Sequence, residues 1–191
     1  MFKCFRSLIY ILLFSMSIAC DAAPTDSLTV LPEKPPAPVF ELRDMDDKIH
    51  TLADYKGKPL IVNFWATWCP PCRAELPSMN RAWAKVKDEG IAMIAINIGE
   101  DEDSIFAFTA QYPIDFTVLL DEESEQLSPW QISGLPTTYV IDPEGRVVFQ
   151  AMGDREWDND KLLDKVRALK TKSTTPESAK PKEPKIPEKI K

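Results

Sequence analysis

The 191 residues carry 44% hydrophobic and 28% charged side chains, an ordinary balance for a soluble globular domain with its own core. The net charge of −7 is unevenly spread: Lys3 and Arg6 make the first twenty residues basic, six lysines against three glutamates make residues 171–191 basic, and the body between is more acidic than the whole. Such a body excludes nucleic acid as the expected partner, because phosphate binding needs a basic face.

Residues 1–20 read as a signal segment. Lys3 and Arg6 form a positive start, and residues 8–19 form a mostly apolar run too short to span a bilayer. Ser17-Ile18-Ala19-Cys20 resembles the lipobox of bacterial lipoproteins, which implies lipidation of Cys20. Ser17 stands where the lipobox usually has Leu, and Ser17-x-Ala19 equally suits ordinary signal cleavage; an uncleaved anchor is the third reading. All three readings put the body outside the cytoplasm of a bacterium, with the periplasmic face of the inner membrane as the expected place.

Residues 21–38 hold five prolines and read as a tether, reaching roughly 25 Å as a flexible coil and about 55 Å as polyproline II. The body is expected over 39–170. Residues 39–42 and 48–52 alternate around Asp44-Met45-Asp46-Asp47 and predict a β-hairpin. Residues 60–65 predict a strand buried on both faces, and 69–88 a helix kinked at Pro77. A buried strand follows over 91–98, a helix over 102–111 and a strand over 116–120. A short helix is expected over 123–130. Strands over 137–141 and 146–150 meet at Asp142-Pro143-Glu144-Gly145, a turn sequence. Residues 158–170 close as an amphipathic helix with Leu162, Leu163, Val166 and Leu169 on one stripe. The alternation predicts an α/β fold with a mixed central sheet flanked by helices. Residues 171–191 are too polar to repay ordering and predict a disordered tail.

Cys69-Pro70-Pro71-Cys72 is the most informative stretch. Cys4 and Cys20 lie in the signal segment or at its end, so Cys69 and Cys72 are the only cysteines of the body. Cys69 is expected at a helix N-terminus, where unpaired N–H groups and the helix dipole favour a thiolate. Cys72, three residues on, shares its face one turn deeper. Cys69 is therefore the expected nucleophile and Cys72 the resolving thiol, the pair closing and reopening one redox-active disulfide. Pro70 and Pro71 suit the first helical turn. A structural disulfide and a metal site are the alternatives. A two-residue loop adds little stability, and zinc wants four ligands where the body offers two Cys and His50. His50 itself reads as a surface residue. No metal and no cofactor are expected.

The segment Phe64-Trp65-Ala66-Thr67-Trp68-Cys69-Pro70-Pro71-Cys72-Arg73-Ala74-Glu75-Leu76-Pro77, with Gly134-Leu135-Pro136-Thr137-Thr138 downstream, resembles the thioredoxin superfamily. It is most similar to the TlpA/ResA/CcmG (DsbE) branch of membrane-tethered thiol:disulfide oxidoreductases, over roughly 37–170. Residues 102–120 resemble that branch's helix–strand insertion. The resemblance implies a thioredoxin-like fold, a cis bond before Pro136, and Leu135 as a backbone docking edge for a substrate segment. It implies Glu75 as a possible proton acceptor for Cys72, while Asn63 stands where thioredoxin itself has a buried Asp. Trp68 is expected as apolar contact surface beside the thiols.

The function implied is reduction of disulfides in protein substrates such as apocytochrome c, by a monomer recharged from a membrane donor of the DsbD/CcdA type. A peroxidase is one alternative, since the N-terminal hairpin also resembles the peroxiredoxin group. Ala66 stands where peroxiredoxins usually place Thr. A copper-binding chaperone is the other, against which stand the two-residue spacing and the lack of any His after His50.

Overall fold

Leu60–Trp65 (β4) is apolar at almost every position because both of its faces are covered. Ile61 and Trp65 join one core, while Leu60, Val62 and Phe64 join the other. The computed structural model describes residues 27–170. The signal segment with Cys20, the first part of the expected tether and the tail over 171–191 lie outside the described residues.

β4 pairs in parallel with Ala92–Ile98 (β5), and β5 with Thr117–Asp121 (β6). On its other side β4 pairs antiparallel with Thr137–Ile141 (β7), and β7 with Val147–Met152 (β8). Thr29–Val30 (β1) adds antiparallel to β8, giving a six-stranded mixed sheet of order β1-β8-β7-β4-β5-β6. Pro70–Val86 (α1), Glu102–Thr109 (α2) and Asp160–Lys170 (α3) cover one face. α1 supplies Cys72, Leu76, Met79, Ala82 and Val86 to that core. α3 supplies the expected stripe of Leu162, Leu163, Val166 and Leu169. α1 runs unbroken through Pro77, where the missing N–H removes one helical bond.

The hairpin Glu41–Arg43 (β2) with Ile49–Thr51 (β3) forms its own two-stranded sheet beside β6, where Asp44 bridges Leu119 and Leu42 packs against the second core. Arg43 fastens it by bonding Glu102 at the start of α2 and Glu122 after β6. His50 is buried here at 8% exposure, contrary to the surface position expected of it. One ring nitrogen lies 2.7 Å from Asp44 Oδ2 and the other 3.0 Å from the Tyr55 hydroxyl, so its burial is matched by partners.

Two further expectations give way. The helix over 123–130 does not form. The Asp121 carboxylate accepts the N–H groups of Glu125 and Gln126 (2.9 and 3.0 Å), and Ser124 and Gln131 adopt φ of 58° and 52°. That left-handed backbone breaks helical propagation and leaves consecutive turns. The expected tether is docked over its second half. Besides the β1 pairing, Leu31 N–H bonds Val148 O (2.9 Å), Ala37 N–H bonds Gly145 O (2.9 Å), and Leu28 and Ala37 are buried.

This strap makes a testable demand on stability. Leu28 is 6% exposed and Val30 is 58% exposed, one residue either side of Thr29. Leu28→Ala is expected to cost about 2–3 kcal/mol in urea unfolding, and Val30→Ala less than about 0.5 kcal/mol. Equal small effects would mean that the strap adds nothing to the core.

Candidate active site

The chain leaves β4 through Ala66-Thr67-Trp68 and enters α1 at Cys69. Cys69 has extended backbone and caps the helix, its Sγ accepting the N–H of Cys72 at 3.2 Å. Pro70 and Pro71 occupy the first helical positions, whose N–H groups have no partner in a helix. Cys69 and Cys72 are joined in a disulfide. Cys69 is 3% exposed and Cys72 fully buried. The entry loop is held from β5: Glu100 accepts the N–H of Thr67 (2.7 Å), its hydroxyl, and Asn97 Nδ2 (2.8 Å).

Glu75 lies one turn beyond Cys72 and is 2% exposed. Its Oε1 accepts from Asn63 Nδ2 of β4 at 2.8 Å, and its Oε2 from the indole N–H of Trp157 at 2.9 Å. Asn63 gives its second amide hydrogen to Thr138 Oγ1 of β7 (2.9 Å). Burial pushes the Glu75 carboxyl up to about 7, and hydrogen bonds from Trp157, Asn63 and the Arg155 backbone, followed by the charge of Arg155, oppose that rise. A carboxyl poised near neutrality is of the kind that exchanges protons with a thiol, and Glu75 lies one helical turn from Cys72.

The Leu135–Pro136 bond is cis. Pro136 is buried and its carbonyl accepts the N–H of Gly153 at 2.9 Å. A groove of about 620 Å³ runs beside the disulfide, lined among others by Trp68, Cys69, Pro70, Pro71, Ile132 and Leu135. Trp68 is 67% exposed there. The structure thus brings Trp68, Cys69, Pro70, Pro71 and Leu135 to one surface, with Cys72 and Glu75 beneath it. Cys20 lies outside the described residues. No group of three or more His, Cys, Asp or Glu is poised for a metal among the described residues.

Sequence reasoning missed Trp157, Thr138 and Glu100. Trp157 meets Glu75 across 82 positions of chain, and an indole carries no local sign of which acceptor it will find. Glu100 had a weak signal, an acidic residue just past a strand in register with the one that leads into Cys69.

The family model described as the AhpC/TSA family matches residues 34–150. The thiol-disulfide oxidoreductase ResA of Bacillus subtilis (strain 168) is 41% identical over 112 residues, 59% of this chain and 63% of that protein. The chain thus matches less than two thirds of that relative's length. A solved structure from Chlorobium tepidum, assigned as a thiol:disulfide interchange protein DsbE, is 33% identical with a TM-score of 0.67, covering 75% of this chain and 99% of that one. A thiol:disulfide interchange protein of the thioredoxin family from Chlorobium tepidum TLS is 31% identical with a TM-score of 0.62, covering 70% and 96%. The α/β arrangement described above is accordingly a thioredoxin-like fold.

Glu75 also predicts how stability varies with pH. Its carboxyl holds a proton up to about 7 in the fold, against 4.5 for an ordinary glutamate. The stability this contributes is complete below 4.5 and is lost as pH rises through 7, about 3 kcal/mol in all. Relative to Glu75→Gln, the oxidised wild type is expected to lose about that much between about pH 4 and pH 8 in urea unfolding. Parallel pH curves for the two proteins would mean that Glu75 ionises as freely in the fold as in water.

Proposed function

Because the chain belongs to the AhpC/TSA family, and within the thioredoxin superfamily is a ResA/CcmG-like protein, we propose that it is a thiol:disulfide oxidoreductase that reduces protein disulfides. The observation that carries this reading is the buried Glu75, bonded by Asn63 and Trp157 one helical turn from a Cys69–Cys72 disulfide that borders an open groove.

In the reduced protein the Cys69 thiolate attacks one sulfur of a substrate disulfide. A Cys69–substrate bond forms and the substrate's other sulfur leaves as thiolate. Cys72 then passes its proton to Glu75 and attacks Cys69 Sγ. The Cys69–Cys72 bond closes and the second substrate thiolate is released. Two electrons have gone to the substrate, and the proton on Glu75 returns to solvent or to a departing thiolate. The described structure, with its disulfide closed, corresponds to the state after this step. The groove takes an extended substrate segment, with Trp68 and Pro71 as apolar contacts and the backbone of Leu135 as a docking edge. Cys69 caps α1, so its thiolate faces the helix's positive end.

The wider setting is part of the same proposal. Lipidation of Cys20 ties the monomeric body to the periplasmic face of the inner membrane, a donor of the DsbD/CcdA type resupplies electrons, and apocytochrome c is a fitting substrate. The AhpC/TSA match supports one second reading, a peroxidase. Ala66 before Cys69 and a partner thiol at Cys72 favour exchange.

The division of labour predicts that Cys72→Ser accumulates mixed disulfides when reduced protein meets a disulfide-bonded substrate, while Cys69→Ser does not. The reverse pattern on non-reducing gels would exchange the two roles. Equilibration with glutathione tests direction: a potential near that of a strong oxidant, about −120 mV, would sink the reductase reading. Consumption of hydrogen peroxide as fast as of protein disulfide would move the assignment to a peroxidase.

A further inference from the structure

The loop over 153–157, between β8 and α3, meets three parts of the molecule. Gly153 donates its N–H to Pro136 O at the edge of the groove (2.9 Å). Trp157 donates its indole N–H to Glu75 Oε2. Arg155, 8% exposed, reaches the N-terminal strap: its Nη1 donates to the carbonyl of Ser27, and its Nη2 to those of Met152 and Gly153 (2.8 and 3.4 Å). The carbonyl of Arg155 accepts the Ser78 hydroxyl (3.1 Å), whose oxygen in turn accepts the N–H of Trp157 (3.0 Å). A chain of bonds therefore runs from Ser27 through Arg155 and Ser78 to Trp157 and Glu75.

We propose that Arg155 is a positioning residue for Glu75, held in place by the N-terminal strap, so that the segment leading to the tether is part of the redox site. Around Glu75 stand the neutral Asn63 of β4, Cys72 and Ser78 of α1 and Trp157 of the loop, together with the charged Arg155. A buried guanidinium must be held by acceptors, and three of those here are backbone carbonyls, one of them from the strap. Arg155 favours ionised Glu75 first through a hydrogen bond from its backbone, which depends on how the loop is held, and then through the charge of its guanidinium. Leu28, buried against the α1 core, and the β1–β8 pairing keep Ser27 at this spot. Undocking the strap removes an acceptor from Arg155 and loosens the loop that carries Trp157. The use made of this arrangement rests on the reading of Glu75 as proton acceptor.

The test reads Glu75 without reading catalysis. In the oxidised full-length protein, the Trp157 indole N–H resonance, assigned by its loss in Trp157→Phe, is followed against pH by NMR. The wild-type midpoint is expected at about 7. Arg155→Ala is expected to raise it by about half a unit or more, and Arg155→Lys to recover most of that shift. Leu28→Asn, which undocks the strap and leaves Arg155 in place, is expected to move it upward by less. Unmoved midpoints accompanied only by lower melting temperatures would overturn the proposal, since Arg155 would then serve stability alone. A downward shift in Leu28→Asn would overturn it too, because water entry would then outweigh positioning. If Arg155→Ala does not fold, Arg155→Lys and Leu28→Asn decide alone: no shift in either refutes it. Shifted midpoints with an unchanged exchange rate would remove Glu75 from the chemistry while leaving the positioning intact.

Discussion

A carboxylate taken out of water must find donors or keep its proton. Glu75 sits between those outcomes, and the site is arranged around that compromise. Its two oxygens accept from Asn63 and Trp157, which come from β4 and from the loop before α3. The same pair of bonds therefore joins α1 to the sheet and to the loop that leads into α3. Asn63 matters for what it is not. An aspartate there would face Glu75 across about the same 2.8 Å contact, and two like charges at that distance cannot both ionise. An amide lets one acidic group stand alone, on the helix that carries Cys72.

The covering of β4 on both faces explains where that group can lie. Ile61 and Trp65 turn toward α1, Leu60, Val62 and Phe64 toward the hairpin side, and Asn63 is the polar break in the row that meets α1. A polar side chain at the centre of a doubly buried strand is costly unless satisfied. Asn63 donates both amide hydrogens, to Glu75 and to Thr138, and so ties β7, β4 and α1 at one level, while its Oδ1 is buried with no partner among the described residues. β7 begins just after the cis Leu135–Pro136 bond. The cis bond and the Glu75–Asn63–Thr138 bonds thus lie at two ends of one short span of sheet.

How much of this was legible follows from how local each signal is. β4 and β5 were plain because continuous apolar runs need no partner to be recognised. The thiols, the two prolines and Glu75 lie within seven residues and share a helix, so their relative placement follows from helical geometry. The burial of His50, the indole of Trp157 and the strap depend on partners far along the chain. The strap in particular reads as coil: its strand is two residues long and prolines follow it. Those prolines fall after Thr29–Val30, outside the ladder, so none of them removes a strand hydrogen bond of β1. Residues 123–130 mislead for the opposite reason. Their composition suits a helix, but the Asp121 carboxylate claims two of the N–H groups that would start one.

The unequal settings of the two sulfurs bear on the direction of electron flow. Cys69 borders the groove, whereas Cys72 is fully buried and does not line it. A folded partner can therefore approach the pair only through Cys69, whether that partner gives electrons or takes them. On the proposed function, substrate and donor would use one groove and one sulfur in turn, neither bound while the other is attached. Geometry alone gives such a site no preferred direction. What biases it is the relative stability of the dithiol and the disulfide, and the proton that must leave Cys72 on closing is part of that balance. In the proposed mechanism Glu75 would accept this proton more readily as pH rises through about 7, so the carboxyl whose burial costs stability in alkali would favour closing of the disulfide there. The cost of burying Glu75 is thereby linked to the step in which Cys72 attacks.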